Sequence, residues 1–171
     1  MSKTKEYIIS FSSLRVGEHE FDFQISDSFF EVFEHSRIQK GNLSLKINMT
    51  KAENLLQLQF NFKGIIMVVC DHCGDDFDFP LDFAENLIVK FSDQHQEDTD
   101  EVVFLPTTSY QINLAQFIYE FVNLALPMRI THPEDENDNP TCVNDVLDEF
   151  EDFNEPNNEI DPRWDALKKL K

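Results

Sequence analysis

The sequence predicts an α+β fold: a mostly antiparallel twisted sheet, or a partly open barrel, with one main packed helix and an acidic C-terminal extension. Three observations indicate this class. The first 90 residues consist mostly of predicted strands, several of which alternate apolar and polar side chains as half-buried strands do. Residues 113–126 have the spacing of an amphipathic helix instead. The charge is also uneven, because residues 93–161 carry −17 of the total of −19 and the last ten residues carry +3.

The length of 171 residues suits about one domain of ordinary size. We therefore expect a single α+β domain over residues 1–129. Residues 130–160 are expected to form an acidic, partly disordered loop or extension. Residues 161–171 predict a short C-terminal helix that docks on the domain, with Trp164 on its apolar face.

Strands account for most of the predicted elements. Residues 42–49 and 56–62 alternate cleanly and are joined by a short polar connection, which predicts an antiparallel hairpin. Gly64 is expected to break the second strand, and the apolar run 65–69 predicts a strand buried on both faces. Pro80 favours an edge strand or a bulge. The remaining predicted strands are residues 7–11, 20–25, 77–81 and 87–91.

Two helices are predicted in the domain. The first is a short helix over residues 26–36, capped by Ser26 or Asp27. The second covers residues 113–126, where Asn113 can cap the first turn and Gln116 occupies the capping-box position. Pro127 ends this helix because proline cannot continue it.

The charge balance excludes some classes of partner. The chain has 33 Asp+Glu against 14 Lys+Arg, so it repels phosphate, and we exclude broad nucleic-acid binding and adhesion to an anionic membrane. No apolar run is long enough to span a membrane, and the N-terminal residues lack an apolar signal-peptide core, so we expect a cytoplasmic protein. Basic proteins are the favoured partners.

The cysteines predict a metal site. Cys70 and Cys73 flank a tight turn between two strands, the context of a zinc knuckle, and Cys142, His132 and, less favourably, His72 are candidates for the remaining ligands. One structural zinc held by Cys70, Cys73, His132 and Cys142 would tie the acidic segment to the sheet. The competing interpretation is that the cysteines are ordinary reduced thiols without a metal. Redox catalysis is disfavoured because acidic residues, rather than a helix, follow the pair.

The acidic side chains show no catalytic pattern. With 33 carboxylates, accidental pairs are unavoidable, and neither a nucleophile motif nor a glycine-rich phosphate loop is present. We therefore predict neither an enzyme nor a small-molecule substrate. The region without Lys or Arg, residues 130–162, is either a docking surface for a basic protein or a solvated tail. Its partner-binding candidates are Glu134, Asp135, Glu136, Asp148, Glu149, Glu151 and Asp152.

The order of the motifs resembles the YceD family over nearly the whole chain. A β-rich half leads into Cys-Asp-His-Cys at 70–73, a helix ends in Leu-Pro at 126–127, and His132 and Cys142 follow. Asp-Pro-Arg-Trp at 161–164 closes the series. The residues that match the family signature outside the ligand set are Leu126, Pro127, Asp161, Pro162, Arg163 and Trp164.

This resemblance implies a cytosolic ribosome-biogenesis factor that supports accumulation of 23S ribosomal RNA and assembly of the large subunit, without an established catalytic activity. Because the chain is acidic, we expect it to act through a basic ribosomal protein or rRNA-processing factor, with at most weak direct contact to RNA. Two alternatives remain open. One is a zinc-dependent RNA-processing enzyme, and the other is an acidic regulator that mimics RNA.

Overall fold

Strands dominate the computed structural model, which describes residues 6–33, 36–38, 40–93, 99, 102–133 and 142. No helix within these ranges is long and apolar enough to cross a membrane. The elements in chain order are β1 Ile8–Ile9, β2 Gly17–Ile25, α1 Asp27–Phe30, β3 Lys40–Lys51, β4 Leu55–Val69, β5 Asp76–Phe91, β6 Val102–Leu105, β7 Ile112–Asn113 and α2 Ala115–Leu124.

A five-stranded mixed sheet forms the centre of the fold, in the order β2-β3-β4-β5-β6. β2 to β5 are antiparallel neighbours, which confirms the predicted hairpin, whereas β6 lies parallel to the end of β5. β2 and β6 do not pair with each other in the described part of the chain, so the sheet is open and is not a closed barrel. β1 and β7 form a separate two-stranded sheet.

The core lies on one face of the sheet. Along β3, buried apolar residues alternate with exposed or partly exposed polar ones, as the sequence pattern predicts. α2 packs on the apolar face, where the ring of Phe121 meets that of Phe60 edge-on at 5.2 Å between centroids. Since Phe60 is completely buried, this contact lies deep in the core. The opposite face of the sheet keeps its polar side chains exposed or partly exposed.

Two predictions about β4 are wrong. Gly64 does not break the strand, which runs continuously from Leu55 to Val69. A Cβ at Gly64 would overlap the carbonyl oxygen of Asn42 on β3, so glycine allows the two backbones to approach closely. The run 65–69 is also not buried on both faces, because Ile65 and Val69 are 48% and 49% exposed on the polar side of the sheet.

β5 is far longer than the strand predicted around Pro80 and lies between β4 and β6, so only its first part resembles the predicted edge strand. β6 pairs only with Ile88, Val89, Lys90 and Phe91. Residues 76–87 of β5 therefore have no strand on their outer side within the described ranges. A proline is tolerated there because no ladder hydrogen bond is required from it. β6 itself was not predicted, since only four residues form it.

α1 is a single turn instead of a helix across residues 26–36. Ser26 at its N-terminus makes no capping bond through its side chain. The Asp27 carboxylate accepts the Gly41 N–H at 2.8 Å, so it ties the turn to β3 rather than capping a longer helix.

α2 begins at Ala115, two residues later than predicted. Leu114, and not Asn113, occupies the N-cap position, but the Asn113 side chain accepts the Ala115 N–H at 3.0 Å and so satisfies one donor of the first turn. The capping box does not form, because the Gln116 amide donates to Glu120 one turn later.

The expected acidic extension and C-terminal helix lie largely outside the described residues. This applies to residues 134–171 apart from Cys142. The acidic candidates Glu134, Asp135, Glu136, Asp148, Glu149, Glu151 and Asp152 and the signature residues Asp161, Pro162, Arg163 and Trp164 all fall in this part of the sequence.

Candidate metal centre

The turn between β4 and β5 carries two of the predicted ligands, Cys70 and Cys73. The Gly74 N–H donates to the Cys70 carbonyl at 3.0 Å, and the Cys70 N–H donates to the Asp75 carbonyl at 2.9 Å. Gly74 has a φ of 82°, a left-handed conformation that glycine adopts without strain. The chain therefore reverses tightly around both thiols, as a zinc knuckle requires.

The segment after α2 returns to this turn and is held by Asp71. The Asp71 N–H donates to the Ile130 carbonyl at 2.7 Å, and its carboxylate accepts the Ile130 N–H at 2.7 Å. Arg37 approaches the other carboxylate oxygen at 3.5 Å. The His132 ring lies against Phe77 with 4.4 Å between ring centroids. These contacts place His132 beside the two thiols.

Four ligand atoms meet at this point. Cys70, Cys73, His132 and Cys142 each offer one atom, and all four atoms lie within 4.8 Å of one another. The Sγ atoms of Cys70 and Cys142 are 3.7 Å apart. His132 Nδ1 lies 3.5 Å from Cys73 Sγ and 3.4 Å from Cys142 Sγ.

The three distances given above match edges of a zinc tetrahedron, and the other three pairs of ligand atoms lie within 4.8 Å. With Zn–S bonds of about 2.3 Å and Zn–N bonds of about 2.0–2.1 Å, tetrahedral geometry requires S···S edges of about 3.8 Å and S···N edges of about 3.5 Å. The donor set of three thiols and one imidazole is also among the usual structural zinc sets. The residues therefore fit a zinc ion, and the four of them could hold one.

The two cysteines of the turn differ in their electrostatics. Burial raises the pKa of the Cys70 thiol, but hydrogen bonds from the Cys73, His72 and His132 backbone N–H groups and from the His132 side chain lower that pKa to about 5. The Asp75 N–H lowers the pKa of Cys73, but desolvation and the neighbouring sulfurs of Cys70 and Cys142 outweigh it and raise that pKa to about 11. The lowered pKa favours a thiolate at Cys70, whereas the raised pKa opposes a second thiolate at Cys73. A bound divalent cation would offset the repulsion between the two thiolates.

The structure brings together the four residues chosen from the sequence and leaves out His72, which is exposed. Leu126 packs partly buried against the core, and Pro127 is exposed after α2. Sequence reasoning missed Asp71 as the residue that holds the returning segment. Its place inside the Cys-x-x-Cys motif was the only available signal, because nothing local marks Ile130 as its partner.

Comparison with known proteins gives one family. Residues 58–171 match the family model described as "Large ribosomal RNA subunit accumulation protein YceD". Neither the curated proteins nor the solved structures contain a match. The matched region covers about two thirds of the sequence and contains all four candidate ligands. The chain therefore belongs to the YceD family.

Proposed function

We propose that this chain supports the accumulation of large-subunit ribosomal RNA as a non-catalytic protein whose fold is completed by one structural Zn²⁺. The observation that carries the proposal is the family match over residues 58–171, because the family description names this role. The matched region also includes both halves of the candidate metal centre.

The ligand set favours a structural metal. Four protein ligands fill a tetrahedral zinc site, whereas catalytic zinc sites keep one position for water or substrate. A zinc-dependent RNA-processing enzyme would need such a position. In this proposal the ion joins the β4–β5 turn to residues 130–142 and so fastens the acidic extension to the domain of residues 1–129.

Complementation tests the role and the metal together. Cells that lack the protein should show a lowered ratio of large- to small-subunit rRNA, and the wild-type chain should restore it. Cys73→Ser should fail to restore the ratio because it removes one of four ligands. His72→Ala is the matched control, since His72 is an exposed residue in the same turn outside the ligand group. A normal ratio without the protein would refute the role, and full rescue by Cys73→Ser would refute the need for the metal.

The partner in this proposal is a basic ribosomal protein or rRNA-processing factor. The net charge of −17 over residues 93–161 supports this choice, because it attracts Lys- and Arg-rich surfaces and repels phosphate. Attraction of this kind makes association fast and sensitive to salt.

Affinity purification across a salt series tests the partner. The tagged chain should recover a basic ribosomal component at low salt after nuclease treatment, and added salt should release it. Recovery that depends on intact RNA would contradict direct protein contact. Competition between the chain and RNA for the same partner would favour the RNA-mimic alternative over simple protection of the partner.

A further inference from the structure

Among the described residues, β2 forms one outer edge of the five-stranded sheet. It pairs with β3 along its whole length. On its other side, residues 18–23 receive no backbone hydrogen bond from any residue that the structure describes. β2 contains no proline, whereas the open part of β5 contains Pro80, which lacks an N–H. An unpaired, proline-free edge is a template for a further strand.

The side chains of β2 alternate between acidic and aromatic. Glu18, Glu20 and Asp22 are exposed on the polar face of the sheet, and their attachment points repeat every two residues, about 6.8 Å apart. Phe21 and Phe23 point to the apolar face and are only partly buried. The Phe23 ring meets that of Tyr7 at 5.7 Å between centroids, and no strand pairs with this side of β2 among the described residues. An added strand would therefore meet carboxylates on one face and aromatic rings on the other.

The polar face beside β2 is concave and rich in hydrogen-bond acceptors. Glu18 and Glu20 line a hollow of about 650 Å³ together with Asn48 and Gln59 from the next two strands. The Asn48 side-chain oxygen is buried and has no hydrogen-bond partner in the described structure. The Lys46 ammonium group from β3 lies on this face, with its Nζ atom 2.9 Å from a carboxylate oxygen of Glu20. The hollow thus offers acceptors within reach of a long basic side chain.

We propose that β2 binds an extended basic segment of the partner protein by strand addition, in which Lys or Arg alternates with apolar residues. This inference rests on the proposed function in one respect, namely that the partner is a basic protein. The basic side chains would lie beside Glu18, Glu20 and Asp22, and the apolar ones would cover Phe21 and Phe23. Pairing of β2 with β2 of a second copy is disfavoured because it would bring these carboxylates together.

A defined peptide tests the proposal on the full-length, zinc-loaded chain. The probe is a nine-residue peptide of alternating Lys and Val, followed by fluorescence anisotropy and by amide hydrogen exchange of β2. The control peptide has the same sequence with every backbone amide methylated, which keeps the charge but removes the N–H donors from both edges of the peptide. The unmodified peptide should bind saturably, slow the exchange of β2 amides and bind at least about tenfold more tightly than the control.

Charge reversal locates the site. The double variant Glu18→Lys, Asp22→Lys should weaken peptide binding about tenfold or more, because two attractive cross-strand pairs become repulsive. The matched control is Asp76→Lys, Asp78→Lys on β5, which changes the net charge equally and should weaken binding about threefold or less. Both pairs of residues are exposed, so these variants are expected to fold.

Several outcomes would overturn strand addition at β2. These are absence of binding, equal binding of the methylated peptide, or equal losses in the two double variants. Protection, in the free chain, of the β2 amides that point away from β3 would also overturn it, whether its own C-terminal residues or a second copy provides that protection. The proposed function is tested separately by affinity purification. Recovery of the basic partner by the Glu18→Lys, Asp22→Lys variant as well as by the wild type would remove β2 from the interaction and leave the function intact. Recovery of no basic partner by the wild type would refute the proposed partner itself.

Discussion

Replacing Asp71 with alanine should weaken zinc binding, although Asp71 is not a candidate ligand. Its carboxylate accepts the Ile130 N–H, two residues before His132. The second bond between these residues runs through the Asp71 backbone N–H and survives the substitution. The variant therefore loosens the segment that carries His132 and Cys142 without removing a ligand, which makes Asp71 a positioning residue.

The expected loss comes mainly from this hydrogen bond, because the 3.5 Å contact of the Asp71 carboxylate with the exposed Arg37 side chain contributes little. A hydrogen bond to a charged group contributes about 1.5–3 kcal/mol, and the lower end applies because the Asp71 side chain is 37% exposed. Ile130 is buried, so its N–H loses an acceptor that water cannot fully replace. About 1.4 kcal/mol corresponds to a tenfold change in an equilibrium constant. We expect the zinc dissociation constant to rise about tenfold, within the range known for residues that support metal ligands.

Competition for zinc against a chromophoric chelator measures this change. The matched control is Asp75→Ala, which removes the same charge from the same turn while the Asp75 backbone carbonyl keeps its bond to Cys70. Asp75→Ala should change the dissociation constant about twofold or less, since only a screened long-range attraction is lost. An equal rise of the zinc dissociation constant in both variants would show that carboxylate charge, and not the hydrogen bond from the Ile130 N–H, controls the affinity. That result would refute the positioning role of Asp71.

Three further predictions follow from other parts of the molecule. Gly64→Ala should lower the free energy of unfolding by at least about 2 kcal/mol in urea titrations, because the added Cβ overlaps the Asn42 carbonyl; an unchanged midpoint would contradict this. Removal of zinc by a chelator should expose the Ile130 amide to hydrogen exchange while the amides of β3 stay protected. If the Ile130 and β3 amides lost protection together, the metal would support the whole sheet. The Thr107 hydroxyl and N–H lower the pKa of Asp93, so their stabilisation is present at neutral pH and is lost as the pH falls through that lowered pKa. Asp93→Asn should therefore flatten the dependence of stability on pH in urea titrations between about pH 2 and pH 5, and an unchanged slope would argue against it.

The strands were the most predictable part of the fold. β3 and the first half of β4 alternate strictly, and this local pattern is sufficient to place one face toward a core. Gly64 misled the prediction because its role depends on the close approach of β3, which the local sequence does not reveal. β6 was not predicted for a similar reason, since a four-residue strand is defined by its pairing with β5 and not by its own sequence pattern.

The candidate site was predictable as a set of residue types. The spacing of a Cys-x-x-Cys turn is by itself enough to predict two thiol ligands. Cys142 lies 72 residues after Cys70, so spacing alone does not predict their contact. Cys142 entered the predicted ligand set as the remaining cysteine and through the family resemblance. Asp71 and Phe77 were not chosen, because their contacts with Ile130 and His132 exist only after the chain has folded back.

The sequence by itself determined the alternating strands, the chemistry of the ligand set and the acidity concentrated in residues 93–161, because periodicity, side-chain type and charge are local properties. Only the tertiary structure decided that four ligand atoms far apart in sequence come within 4.8 Å of one another, that Asp71 holds the returning segment, and that β2 is an outermost strand of the sheet among the described residues. Each of these depends on which remote segments meet in space, and that outcome is set by the packing of the whole chain.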